Sequence, residues 1–348
     1  MSLQELGISH KKIRKQLVVY INFRGEIKDI PSKIDELYQK CKNYVSEPAI
    51  AVIDYGVYSK SGQDIDVCFP ISKPLEKKEF KCKYLEEVEV LLIDHYGPYA
   101  KLGKRAQELF NYLHTYGVLG TSWIRLVFHK LSLKNESKDE IEIQAILHGW
   151  DNRLARNIDR ILGEDIRKEV MKDREKLFTI ESTLDDKFQW IKNVLTKLDK
   201  IANNDQKYDI LSCCAHEFSQ KRIGKLKLIY EKTGDINEVI REMDKDFAWY
   251  EGQKKEGNTI FIQKVPYNQE GYDKDSNLGD KKRNYCHCPL VKHYLNENIS
   301  PTFCNCSAGW YRQYWEGILG KPVRINILKS LVKGDDVCQF KIILPQFD

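Results

Sequence analysis

The chain has 348 residues, with 42% apolar and 31% charged side chains, enough to build the cores of two domains and too apolar for global disorder. Its net charge of +5 comes from 56 basic and 51 acidic residues mixed along the chain, too even for a dedicated nucleic-acid footprint. The first residues are polar, without the apolar core of a signal peptide, and no run reaches the roughly 20 apolar residues of a membrane span. A cytoplasmic location without membrane contact is therefore expected, and in that reducing setting the ten cysteines read as thiols or metal ligands before disulfides.

Residues 1–16, including the basic run from His10 to Lys15, read as a solvated tail. An extended run from Leu17 to Ile27 comes next, and then a helix from Pro31, with Ile34, Leu37, Tyr38, Cys41 and Val45 on one face. Ala49 to Tyr58 and the alternating segment Asp64 to Ile71 complete the unit as a hairpin. The same order recurs in a strand from Glu87 to Tyr99, a helix to about Tyr116, and strands from Ser122 to Leu133 and Glu140 to Leu147.

Two β-α-β-β units of about 70 residues imply a pseudo-twofold domain over 17–148, with a concave cleft at the junction. Tyr20, Phe23, Tyr55, Tyr58, Phe69, Tyr96, Tyr99 and Trp123 fall in these strands and their ends. Each ring read singly is a core residue; together they are expected to line a pocket for a hydrophobic or aromatic small molecule.

From Gly149 the period turns helical. A charged helical segment runs to Phe178, carrying Leu154, Ile158, Ile161, Leu162 and Ile166 as a stripe. Thr183, with Asp186 three residues on, marks an N-cap, and Asp235 with Glu238 marks another. Cys213 and His216 are expected three apart on one helix face. Residues 268–284 read as a disordered excursion or lid. A terminal hairpin from Val323 to Leu344 completes an α+β domain over 149–348, several helices followed by a small antiparallel sheet.

Cys286/Cys288 and Cys304/Cys306 form two Cys-x-Cys pairs separated by 15 residues. On strands, each pair would present two sulfurs to one side, and four thiolates suit a tetrahedral zinc. The flanking geometry sets His287 on the opposite side, a poor co-ligand. The same thiols read equally well as buried packing, and Cys338, in phase with Phe340 and Ile342, reads as core.

The segment DHYGPYAKL, Asp94 to Leu102, and the strand DIDVCFPI resemble the gyrase-inhibitor-like (GyrI-like) effector-binding domain found on AraC- and MerR-type regulators. The resemblance covers about residues 15–147. It implies a multidrug-type pocket for bulky, often cationic aromatic molecules, and in hydrolytic members a strand glutamate serving as acid/base. Here Leu126 stands at that glutamate position and Phe128 at the accompanying tyrosine, which removes the charge partner and the proton-transfer group together.

Gly309, Gly320, Lys321, Val323, Gly334, Asp335, Cys338 and Phe340 resemble the 4-vinyl reductase pattern, which implies a small-molecule-binding α/β module. About 16 residues precede the first strand, too few for a DNA reader. The expectation is a sensor or sequestering protein, linked to transcription regulation through a separate DNA-binding regulator and without direct nucleic-acid contact. The alternative is a metal- or thiol-dependent enzyme of the hydrolase class in the cysteine-rich half, disfavoured by the absence of a recognisable acid/base pair.

Overall fold

A computed structural model describes residues 3–45, 48–54, 62–75, 79–131, 139–245 and 252–345. The protein is of mixed α+β class and divides into two compact units, residues 1–148 and 149–348.

The first unit holds β1 (Ile8–Ile13), β2 (Gln16–Gly25), α1 (Ile30–Cys41), β3 (Ala49–Asp54), β4 (Gln63–Pro70), β5 (Lys81–Leu85), β6 (Val88–Tyr96), α2 (Leu102–Thr115), β7 (Gly120–Lys130) and β8 (Glu140–Leu147). The strands form one antiparallel sheet in the order β1-β6-β8-β7-β3-β4-β2-β5. The two β-α-β-β repeats are β2-α1-β3-β4 and β6-α2-β7-β8. The expected tail is instead strand β1, whose residues Ile8 to Ile13 pair with Ile93 to Val88 of the second repeat. Charge hid it: only Ile8 is buried while both lysines keep solvent exposure, a composition that suits an edge strand.

Connectivity dictates curvature. The order separates β1 from β2 by six places, about 29 Å in a flat sheet at ~4.8 Å per strand. Yet only Arg14 and Lys15 join them, a link that spans at most about 11 Å. Glu86 and Glu87 join β5 to β6 across the same six places. The sheet must therefore curl until its ends meet, and the ion pairs Lys12–Glu87 (2.7 Å) and Lys15–Glu86 (2.9 Å) hold the two links together.

Helices α1 and α2 cover the convex face, burying Ile34, Leu37, Leu109 and Leu113 over Val19, Val67, Ile53, Leu126, Ile143 and Leu91. The concave face holds the alternate residues, beginning with Val18, Ile50, Val52, Cys68, Leu85 and Val127, which pack as one apolar cluster with Tyr20 and Trp123. Trp123 also packs against Val90, Leu92 and Ile146, so it bridges the two repeats.

The second unit begins with α3 (Trp150–Leu162), α4 (Glu164–Val170) and α5 (Arg174–Leu177). The continuous helical segment expected here breaks at Gly163, whose φ of 91° no helix admits. Then come α6 (Leu184–Ile201), α7 (Asn204–Ser212), α8 (Gln220–Thr233) and α9 (Ile236–Met243). Thr183 is the expected N-cap of α6 and with Asp186 forms a capping box; Asp235 caps α9 as expected, but accepts from the Asn237 amide at 2.8 Å instead of forming the capping box with Glu238 that the sequence suggested. The strands β9 (Gln253–Glu256) and β10 (Thr259–Gln263) precede α10 (Gln269–Lys274) and α11 (Leu278–Tyr285). These last two helices replace the disordered excursion expected over 268–284. Their N-caps are Asn268 and Asn277, whose side chains accept from the Gly271 amide and from the Gly279 and Asp280 amides.

The chain ends with α12 (Asn305–Leu319), β11 (Arg324–Lys329) and β12 (Gln339–Ile343). The small sheet runs β11-β12-β10-β9, and the expected terminal hairpin is its β11–β12 pair. Tyr311, Tyr314 and Trp315 of α12 pack on Phe340, Ile342, Ile260 and Ile325 of that sheet, with Leu226 and Val239 from α8 and α9 closing the core. Among the described residues no helix is long and apolar enough to cross a membrane.

Candidate functional site

Strand alternation turns a polar stripe toward the interior of the curled sheet. One row across the concave face reads Asn22, Asp66, Val52, Arg125, Gln144, Leu92 and Ser9, from β2, β4, β3, β7, β8, β6 and β1. The next row reads Tyr20, Cys68, Ile50, Val127, Glu142 and Asp94. Arg125, Gln144 and Glu142 are only 4%, 3% and 6% exposed.

Most charges in this interior are matched. Glu142 faces Lys11 Nζ at 3.2 Å, lies 3.9 Å from His129 Nε2, and accepts from the Gln144 amide. Asp66 accepts from Asn22 at 2.6 Å and pairs with Lys83, whose ammonium lies 4.6 Å above the Tyr20 ring.

Arg125 is the exception. Its Nη2 donates to the Glu86 carbonyl in the β5–β6 link at 3.2 Å, but Nε and Nη1 are buried with no acceptor among the described residues. The Oε1 of Gln144, its register neighbour on β8, likewise has no donor among them. Burial pulls the guanidinium below its usual range, with Cys68 acting weakly in the opposite sense. Burial also pushes the Cys68 thiol up to about 12, so it stays protonated.

The aromatic set expected to line one pocket is divided between the faces. Tyr20 and Trp123 lie half-buried on the concave side. Phe23 and Phe69 point to the helix-covered side, where Phe69 packs on Tyr38 at 5.9 Å. Tyr99 stacks on Phe128 on that same side and donates to the Ile27 carbonyl at 2.8 Å. Tyr96 ends β6, 71% exposed. Tyr55 and Tyr58 lie outside the described residues. Leu126, expected in the pocket, is fully buried on the helix-covered side between Ala51 and Ile143. The residue that β7 presents to the interior at this level is Arg125, which was missed although its alternation with Trp123 and Val127 is visible in the sequence.

In the second unit the cysteine pairs are not on strands. Cys286 follows α11 and Cys288 sits in the next loop, while Cys304 ends a short 3-10 turn and Cys306 lies in the first turn of α12. The extended geometry that aligned each pair therefore does not exist. The four thiols and Cys338 nonetheless lie near one another, since ionising one raises its neighbours. Burial dominates, pushing Cys286 and Cys306 to about 11 and Cys304 to about 12, and Cys288 well above the ordinary thiol range.

Burial thus favours the neutral thiol at each, and metal binding or nucleophilic attack would require the thiolate. Among the described residues no group of three or more His, Cys, Asp or Glu side chains is placed to hold a metal ion. His287 hydrogen-bonds the Val265 carbonyl at 2.8 Å and is pulled down to about 3 by burial and by Lys264. Buried Lys264 lies 5.6 Å over Tyr311 and 6.0 Å over Phe340. Helix α7 ends at Ser212, so Cys213 and His216 lie beyond it and do not share a helix face.

Among solved structures, the chain is similar to the C-terminal domain of EcmrR, at 17% identity over 40% of this chain and 96% of that one, with a TM-score of 0.35. It is also similar to SAV2435, solved bound to tetraphenylphosphonium, at 10% identity over 42% and 96%, TM-score 0.34. A third is a hydrolase encoded by lin2189 from Listeria innocua, at 11% identity over 40% and 90%, TM-score 0.30. Likeness at this level assigns neither a ligand nor a reaction. No curated protein matches the chain. The 4-vinyl reductase resemblance of the C-terminal end is not shown. Residues 151–347 match a family of unknown function, DUF6144, and with more than half of its length matched the chain belongs to that family.

Proposed function

We propose that this is a small-molecule-binding protein, a sensor or sequestering protein whose ligand site is the concave face of the N-terminal sheet. The observation that carries the reading is the interior Arg125–Gln144 pair with unmet hydrogen-bonding groups, beside the half-buried rings of Trp123 and Tyr20. Flat rings stack on such side chains, and a few fixed polar groups in an otherwise apolar concavity give orientation. A separate DNA-binding regulator is the partner through which a sensor of this kind would act. The test is fluorescence quenching with a panel of aromatic dyes. Saturable quenching that is lost in Trp123→Phe supports the reading; absence of saturation by every dye refutes it.

A second reading places a metal- or thiol-dependent site in the C-terminal unit, carried by the proximity of Cys286, Cys288, Cys304 and Cys306 to one another. Zinc is the ion that four such sulfurs would suit once deprotonated. About one zinc per chain with four protected thiols would support it, whereas metal-free protein would remove it.

A further inference from the structure

Arg125 is a buried cation of the concave face with no carboxylate in ion-pair reach among the described residues. Glu142 has Lys11 and His129; Asp66 has Lys83 and Asn22. The acid in the Arg125 row, Asp66, lies two strands away and is committed to Lys83 and Asn22, while buried Asp54 on adjacent β3 stands opposite Trp123 rather than Arg125. A guanidinium is charged at every accessible pH, so burial does not neutralise it as it neutralises a lysine. An uncompensated buried charge is among the most costly groups a fold can hold, and one that persists marks a place where an anion belongs.

We infer that the concave face binds a flat, anionic small molecule, an aromatic carboxylate in chemical class, with its charge on Arg125 and its ring against Trp123. Trp123 precedes Arg125 by two residues on the same strand face, so their Cα atoms are about 7 Å apart along β7. A benzoate- or naphthoate-sized molecule spans that separation. The Gln144 amide carries an unmet oxygen beside the guanidinium, which suits a hydroxyl or N–H on the same ligand. The inference rests on the proposed ligand-binding role and adds the charge of the ligand. It is opposite in sign to the cationic molecules that the sequence resemblance implies.

The test is calorimetric titration of the full chain with three probes of one shape: 2-naphthoate, neutral 2-naphthalenemethanol and cationic 2-naphthylmethylammonium. Naphthoate is expected to bind at least 10-fold tighter than the alcohol, with the ammonium weakest. Arg125→Met is expected to abolish the difference between naphthoate and alcohol, and Arg125→Lys to restore part of it. Equal affinity for naphthoate and alcohol in the wild type overturns the charge assignment and leaves the ligand-binding role standing. Failure of all three probes overturns both. If Arg125→Met does not fold, Trp123→Leu decides: a parallel weakening of both naphthoate and alcohol is expected, and unchanged affinities overturn the placement of the ring.

Discussion

The sharpest test of the second unit is Gly309→Ala. Gly309 lies in α12 where that helix crosses the end of α7, and a Cβ built on it would stand 1.9 Å from the Ser212 carbonyl oxygen and 2.7 Å from the Ser212 Cα. Side-chain carbons keep about 3 Å or more from such atoms, so α12 must retreat by about 1 Å. The obstacle is backbone, which cannot rotate away. The crossing is also fastened by Arg312, which reaches Ser212 Oγ at 2.9 Å and Asp209 at 3.1 Å.

Overpacking of this kind costs up to ~3 kcal/mol. Alanine returns ~1 kcal/mol through helix propensity. The net expectation is a destabilisation of about 2 kcal/mol in urea unfolding followed by far-ultraviolet circular dichroism. Two controls sit on neighbouring surfaces. Gly224→Ala in α8 meets nothing within 4 Å and should stabilise by ~1 kcal/mol. Gly317→Ala meets the Ile223 Cγ2 methyl at 2.6 Å, a side chain and not backbone but stiff at χ1, and should fall between the two. If Gly309→Ala and Gly224→Ala shift the midpoint alike, the close helix crossing is wrong.

Lys187, 2% exposed on α6, is pulled down to about 8 by burial, with Asp151 partly opposing. Its folded value lies below the unfolded value near 10.5, so the unfolded chain holds this proton more tightly and stability rises as pH climbs from about 8 to about 10.5. The buried thiols, raised from about 9 to about 11 or 12, act in the opposite sense over higher pH. The clean readout is therefore wild type against Lys187→Met: their stability difference should move in favour of wild type by ~3 kcal/mol between pH 8 and 10.5, and a flat difference contradicts the buried ammonium. Thr183→Ala removes the α6 capping box, in which Thr183 Oγ1 accepts from the Asp186 amide at 3.1 Å; a loss of ~1 kcal/mol is expected in urea, recovered by Thr183→Ser.

The repeats, the helices α1, α2 and α6, and the Thr183 and Asp235 caps were legible because each follows from periodicity or a local hydrogen bond. Long-range packing was not. The basic run ahead of residue 17 looked like a tail because an edge strand needs only one buried side chain, Ile8, to be held in place. The segment over 268–284 looked structureless because α10 and α11 are too short and polar to show an apolar period.

The aromatics gave a correct inventory and a wrong grouping, since which rings share a face depends on a register that a one-residue slip reverses. Period-two alternation in β7 fixed Trp123, Arg125 and Val127 as one face from sequence alone, but not whether that face looked inward. The two-residue links settled that, by forcing the sheet to curl and carrying Glu86 over Arg125. For the cysteines, sequence supplied four sulfurs and an even spacing. Only the tertiary structure set them on a helix end, a loop, a 3-10 turn and a helix, with Cys286 buried and the other three half-buried, because the packing of α12 against the small sheet, and not the Cys-x-Cys spacing, decides where those sulfurs lie.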